Sequence, residues 1–400
     1  MPLLQELDVL QPELSALGLT PAKPSDMLGS HDDDKSVALV ERDETVHWQD
    51  EAGLDDVSRG FDLREEAGNT IHEKLAALDT RMTPMQGLSE VATDGSMTLQ
   101  GDAWHPTAGA KRVLLIVHGT FSESAKLLSD ALGRDEAFLD DARARYDRIV
   151  AFNYGTLSRS AMANAMVLAR RFGGSDAEID VICHSQGGLV TRWWLEAFEP
   201  QLLARTRVAF VGGTLMGTGL AAPPKLKAAL DYMTNVGLAL KAGMKVATAA
   251  LPFLAPVVGV LGVVRSVVKT ITKTPVLDAG VAVVPGLAQM SRVGTNAGLD
   301  GLSRLRSEAP PGYHAIGASF EPQDWKFWKN FVQRTARPVA NLIFDADNDL
   351  VVETASTYQL GPGREIPESR RRIINDGETF HTNYFDRPIV HEQLRAWFEF

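Results

Sequence analysis

The sequence predicts an α/β protein: a mostly parallel sheet with flanking helices, an N-terminal extension, and a helical apolar insertion late in the chain. Three observations predict it. From residue 111 onward, short uninterrupted aliphatic runs bounded by turn signals alternate with stretches of helical periodicity, the pattern of doubly buried strands joined by right-handed crossovers. Around Ser185 a β-branched run passes through small residues directly into a helix. Between about residues 215 and 305 the periodic pattern stops and the composition changes.

Residues 1–105 form an acidic, weakly patterned extension, separate from a main domain over residues 106–400. Residues 36–48 read as a hairpin turning at Arg42-Asp43-Glu44. Leu63, Ala67, Ile71, Leu75 and Leu78 recur at steps of three or four, so a helix is expected from Asp62 to Asp79. His31-Asp32-Asp33-Asp34 reads as a solvated acidic loop rather than a metal site, because consecutive carboxylates point in different directions. Residues 97–101 are expected to be a strand leading into the main domain, and this quarter of the chain offers no chemistry.

The main pattern begins with the five aliphatic residues 113–117, followed by His118-Gly119-Thr120-Phe121. One amphipathic helix is expected from Glu123 to Tyr146, a strand at residues 148–155, and a helix from Ser160 to Phe172. Residues 179–184 are the next strand, Ser185 is the turn, and the following helix carries Trp193, Trp194 and Leu195. A turn this tight has little room two residues either side of its apex, where the chain has Cys183 and Gly187. Further strands are expected at 208–214, 313–318 and 371–374, residues 340–352 are expected to be a strand running into an acidic loop, and an amphipathic helix closes the chain over 390–400. In a parallel sheet ligands lie beyond the carboxyl ends of the strands, the edge where His118, the loop at Tyr154 and Ser185 fall.

The insertion at 215–305 differs in charge. Between Ala221 and Thr295 there are eight Lys or Arg against two Asp, a local +6 within a chain of net charge −11. Residues 246–264 are uncharged for 19 positions, close to the ~20 needed to cross a bilayer. Pro252, Pro256, Gly259 and Gly262 interrupt them, which favours a helical cap over a membrane span.

A serine hydroxyl needs a base within hydrogen-bond reach and a carboxylate to orient that base. Ile-Cys-His-Ser185-Gln-Gly-Gly between strand and helix resembles the nucleophile elbow of the α/β-hydrolases, with cysteine in place of the first glycine of G-x-S-x-G. The family's order of serine, acid, histidine is matched by Ser185, an aspartate of the 345–349 loop, and His381. Among Asp345, Asp347 and Asp349, the resemblance favours Asp349, which precedes Leu350-Val351-Val352 as in lipases and esterases, with Asp345 next. A loop rich in Asp and Asn is also what a calcium site looks like, but no further ligand accompanies it. His391 is expected to be a partly exposed helix residue, His184 to point away from the nucleophile, and His118 to pack beneath the oxyanion loop. By the same resemblance the oxyanion donors are the N–H groups of Gln186 and Thr120, with Phe121 as the alternative to Thr120.

The group resembled is the lipase-like α/β-hydrolases with H-S-Q-G-G or H-S-M-G-G elbows, which includes triacylglycerol lipases and deacylases of glycolipid anchors. The resemblance spans about residues 110–215 and 312–400 and implies a serine hydrolase acting on carboxylic esters without metal or organic cofactor. Lipid esters, and peripheral membrane contact through the cap, are expected from the insertion. A small-ester esterase, an acyltransferase and an inactive scaffold serving partner or membrane binding are the alternatives. At 44% hydrophobic and 23% charged, the chain is not disordered throughout, and its acidity argues against nucleic acid as a partner. One cysteine forms no internal disulfide. The first residues lack a basic segment followed by an apolar one, so a cytoplasmic protein is expected.

Overall fold

The computed structural model of the chain describes residues 75–77, 79–120, 122–219, 285–291, 296–320, 347–349 and 351–400, together with the backbone of four short strands between residues 21 and 62. Those strands, β1 (Pro21–Ala22), β2 (Ser36–Arg42), β3 (Thr45–Asp50) and β4 (Arg59–Asp62), pair antiparallel in the order β1-β4-β2-β3. The expected hairpin is present, with Arg42 opposite Thr45. Of the helix expected from Asp62 to Asp79, Asp62 belongs instead to β4, while residues 75–77 and 79–82 are helical. The motif at His31 lies outside the described residues.

Eight further strands make the main sheet: β5 (Gly87–Val91), β6 (Met97–Leu99), β7 (Arg112–Val117), β8 (Arg148–Asn153), β9 (Glu178–His184), β10 (Thr206–Val211), β11 (Tyr313–Ala318) and β14 (Arg371–Ile374), with β12 (Gln359–Gly361) and β13 (Arg364–Glu365) forming a separate small hairpin. The order is β6-β5-β8-β7-β9-β10-β11-β14, so the strands follow the chain except that β5 and β6, and β7 and β8, exchange places. All neighbours from β8 to β14 are parallel, and β5 alone runs against the rest. This is the α/β-hydrolase fold. The chain reverses its winding direction at β7, and β7 and β9 are neighbours, so the loops that leave them face a crevice at the carboxyl edge.

The helices are α1 (Ser124–Arg134), α2 (Phe138–Arg145), α3 (Ala161–Phe172), α4 (Gly187–Arg192), α5 (Pro285–Ala288), α6 (Ala297–Arg304) and α7 (Pro388–Phe398). The single helix expected from Glu123 to Tyr146 is two. The chain is extended at Asp135, where Arg395 of α7 pairs with both Asp135 and Asp141. Alternation in β7 explains its unbroken aliphatic run. Val113, Leu115 and Val117 pack with Ala165, Leu168 and Phe172 of α3, whereas Leu114 and Ile116 pack with Leu128, Leu139, Val390 and Leu394 from α1, α2 and α7. Each such side chain contributes about 1.5–3 kcal/mol when fully buried. Ser160 caps α3, its hydroxyl accepting the Ala163 N–H at 3.1 Å.

After α4 the helix widens into a π-turn, Trp193–Phe198, and sets Glu196 against two arginines with almost no solvent contact. Arg192 and Arg364 reach it at 2.7 and 3.0 Å, and Arg192 also donates to the carbonyls of Leu215 and Leu360. The network fastens α4 to β12 and to the loop after β10.

That loop begins the insertion. The described outgoing and returning limbs meet: the Thr218 N–H donates to the Met290 carbonyl at 2.8 Å, and Gly217, at φ +76°, leaves no room for a Cβ beside Ser291 O. Residues 220–284, with most of the expected cap and the apolar 246–264 segment, lie outside the described residues. Among the described residues no helix is long and apolar enough to cross a membrane.

Candidate active site

At the end of β9 the chain turns into α4 within two residues. Ser185 adopts φ +53°, a left-handed conformation that disfavours a residue with a Cβ. Three hydrogen bonds hold it there: its N–H donates to Val211 O at 3.1 Å, and its carbonyl accepts from Gly188 at 3.0 Å and Thr214 at 3.4 Å. Gly187 has no alternative, since a Cβ would lie 2.6 Å from His118 O and 2.7 Å from Val117 O. Cys183 occupies the position of the other small residue and is fully buried; burial raises its thiol pKa, so it is no competing nucleophile.

The strained turn presents the Ser185 hydroxyl to His381. Ser185 Oγ lies 2.9 Å from His381 Nε2, and His381 Nδ1 lies 2.9 Å from Asp349 Oδ2. A carboxylate only accepts, so Nδ1 carries the ring proton and Nε2 accepts the serine O–H. The His381 N–H also donates to Asp349 O at 3.0 Å, fixing the two loops by backbone as well as side chain. Asp349 is fully buried, yet each oxygen is satisfied. Oδ1 accepts the Val351 and Val352 N–H groups at 3.1 and 2.7 Å, and Oδ2 accepts the Tyr384 hydroxyl at 2.9 Å beside His381. Burial opposes ionisation, but the His381 ring and these donors outweigh it and hold the carboxyl below its ordinary value.

The remaining site residues divide clearly. Gly119 brings the end of β7 against the elbow, where a Cβ would stand 2.7 Å from Ser185 Cβ. The Gln186 and Thr120 N–H groups have no acceptor among the described residues. Their side chains are engaged: Thr120 Oγ1 donates to Met290 Sδ at 3.3 Å and Gln186 Nε2 to Gly286 O at 2.8 Å. Asp347 is exposed, its carbonyl accepting the Thr354 N–H at 2.7 Å, while Asp345 and Phe121 lie outside the described residues. Among the described residues no cluster of histidine, cysteine and acidic side chains is arranged to hold a metal.

A family model described as a domain of unknown function, DUF7379, matches residues 82–399. The chain belongs to the DUF7379 family. Comparison with curated proteins gives no match. Among solved structures, this DUF7379 member is similar to the mature Bacillus licheniformis lipase, with 11% identity, TM-score 0.39, and coverage of 74% of this chain and 94% of the lipase. It is also similar to a thermophilic esterase from Thermogutta terrifontis, at 14% identity and TM-score 0.35 over 72% of this chain and 89% of that one. A Bacillus subtilis carboxylesterase is 13% identical, with TM-score 0.32 over 82% of this chain and 97% of that one.

Sequence reasoning missed Tyr384 and misplaced His391 in this DUF7379 member. Nothing in the sequence marks Tyr384, which binds the same oxygen of Asp349 as His381 does. His391 is not a partly exposed residue: it is buried, its Nε2 bonded to Phe385 O and its Nδ1 3.4 Å from Asp135. The kink between α1 and α2 puts Asp135 beside it, which the helix pattern could not reveal. His184 makes no bond to Ser185, as expected, but its Nε2 donates to His381 O at 2.8 Å and its ring lies 4.9 Å from the His381 ring. His118 packs as expected, with Nδ1 donating to Gly119 O at 2.8 Å and Nε2 accepting the Tyr154 N–H at 3.1 Å.

Burial lowers the pKa of His118 to about 4 and, together with the nearby His381, that of His184 to about 3. The unfolded chain protonates both below about 6.5, so the stability present above that pH is lost as pH falls towards the folded values. In the DUF7379 fold, unfolding near pH 5.5 is therefore expected to take up about two protons from these rings. The slope of unfolding free energy against pH between 5.5 and 6.5 measures this, and a flat profile would contradict it.

Proposed function

We propose that the protein is a serine hydrolase that cleaves carboxylic esters through an acyl-enzyme on Ser185. The observation that carries this reading is the unbroken Asp349–His381–Ser185 hydrogen-bond chain ending on a serine held at positive φ. His381 Nε2 takes the serine proton as Oγ attacks the ester carbonyl. The N–H groups of Gln186 and Thr120 receive the developing oxyanion. His381 then returns its proton to the leaving alcohol, and water repeats the sequence to release the acid. Asp349 keeps the ring in the Nδ1–H tautomer and stabilises the imidazolium, so no metal or organic cofactor enters the reaction. An acyltransferase would use the same steps with an alcohol in place of water.

Purified protein is expected to hydrolyse p-nitrophenyl esters and to take a fluorophosphonate label, with both lost in Ser185→Ala. Asp349→Asn should lower turnover by up to ~10⁴ while the fold persists. Hydrolysis that survives Ser185→Ala would overturn the assignment. A folded wild-type chain that takes no label would favour the inactive scaffold that binds a partner or membrane.

For the substrate, the reading is a lipid ester met at a membrane surface, as in a lipase or phospholipase. What supports it is the composition of the insertion: an apolar segment flanked by Lys241, Lys245, Arg265, Lys269 and Lys273. Each cation near an anionic surface contributes about 1 kcal/mol of attraction, and an exposed apolar segment adds to it. Rates on long-chain esters in vesicles should exceed those on short soluble esters and rise with anionic lipid. A preference for acetate esters in solution, or indifference to lipid charge, would assign a small-ester esterase instead.

A further inference from the structure

The acidic N-terminal region contributes one carboxylate to the loop that leaves β8. Asp79, three residues before the span matched by the family model, is only 1% exposed. It lies against the loop that leaves β8 and is surrounded by that loop's donors. Oδ1 accepts the Thr156 and Leu157 N–H groups at 2.9 and 3.0 Å, and Oδ2 accepts the Ser158 N–H and hydroxyl at 2.7 and 2.6 Å. Gly155 admits it, since a Cβ there would stand 2.7 Å from Asp79 Oδ2.

The loop so gathered supports both oxyanion residues. On one side, Tyr154 donates its N–H to His118 Nε2 and its hydroxyl to His118 O, at 3.1 and 2.6 Å, fixing the residue two before Thr120. On the other side, Leu157 O accepts the Gly286 N–H at 3.1 Å, and Gly286 fits against Thr156 O only because it has no Cβ. Gln186 Nε2 then donates to Gly286 O at 2.8 Å and to Thr156 O at 3.4 Å. A charged acceptor binding three consecutive N–H groups is stronger than neutral pairs in the same place, and an oxyanion donor displaced from its position loses effect steeply.

We infer that Asp79 is a positioning residue of the oxyanion hole: its carboxylate fixes the Tyr154–Ser158 loop, and that loop sets the places of Thr120 and Gln186. The inference rests on the serine-hydrolase reading. It assigns a catalytic consequence to a region that sequence gave no chemistry. Asp79 touches neither substrate nor Ser185, and its effect falls on the transition state rather than on ester binding.

The test compares full-length wild type, Asp79→Asn and Ser158→Ala on p-nitrophenyl butyrate, with folded sites counted by fluorophosphonate titration to completion. Asparagine keeps the shape but turns an N–H₂ towards donors. Per titrated site, kcat in Asp79→Asn should fall about tenfold to a hundredfold, less than or comparable to removal of one donor, with KM within twofold. Affinity for a trifluoromethyl ketone, whose serine adduct carries an oxyanion, should fall by the same factor as kcat. Ser158→Ala, which removes a single bond to Asp79, should lower kcat about threefold at unchanged KM, and it decides the matter if Asp79→Asn does not fold. Wild-type kcat and ketone affinity per titrated site in the folded variants would overturn this inference while leaving the hydrolase reading intact. A wild-type chain that neither turns over nor takes label would overturn both.

Discussion

The backbone carbonyl of His118 stands 2.6 Å from the point where Gly187 would carry a Cβ. That approach of β7 to the elbow is the constraint on which the site depends. With any side chain at Gly187, or at Gly119 beside Ser185 Cβ, the two strand ends would have to part. Their closeness brings Thr120, Gln186 and Ser185 to one point of the sheet edge. The left-handed backbone of Ser185 is the local strain that results, on the order of 1–2 kcal/mol, and it is offset by hydrogen bonds to Val211 at the end of β10, to Thr214 just beyond it and to Gly188 of α4.

Asp349 illustrates how burial and polarity are reconciled. An uncompensated buried carboxylate would take up a proton, and a protonated Asp349 would no longer favour imidazolium at His381. Four donors from two segments prevent this: two N–H groups of its own loop, and the His381 ring and Tyr384 hydroxyl of the loop before α7. Glu196 is a second case at the base of α4, where two arginines offset burial. It organises the far side of the elbow helix without contacting the reacting atoms.

Much of this was legible in the sequence, for identifiable reasons. Residues 113–117 read as a doubly buried strand because both faces of β7 are covered, and the helix expected from Ser160 is α3, with Ser160 as its cap. Ser185, His381 and Asp349 were legible because the serine turn has a local steric signature and the other two follow in a fixed order around loops at strand ends. Less visible were features made by partners far apart in the chain. β5 is short, mixes Ser89 and Glu90 with apolar residues, and lies near the sheet edge, so it carries no aliphatic run. The break before α2 depends on Arg395, some 260 residues away. Asp79 binds backbone N–H groups, which every residue but proline has, so the loop it holds leaves no sequence mark. The stretch expected as an insertion stands apart in the sequence by composition alone. What the structure adds is that its described ends meet at Thr218 and Met290, and that the returning end touches Gln186 through Gly286 and Thr120 through Met290.

The account turns on a covalent intermediate at one hydroxyl. The most direct measurement is rapid mixing of the protein with p-nitrophenyl butyrate, acid quench within the first turnover, and mass analysis of the peptide carrying residue 185. A burst of p-nitrophenol matching the number of sites, with a butyryl mass on Ser185, is the predicted result. Steady ester turnover with no acyl group on Ser185, or with the acyl group on another residue, would contradict it.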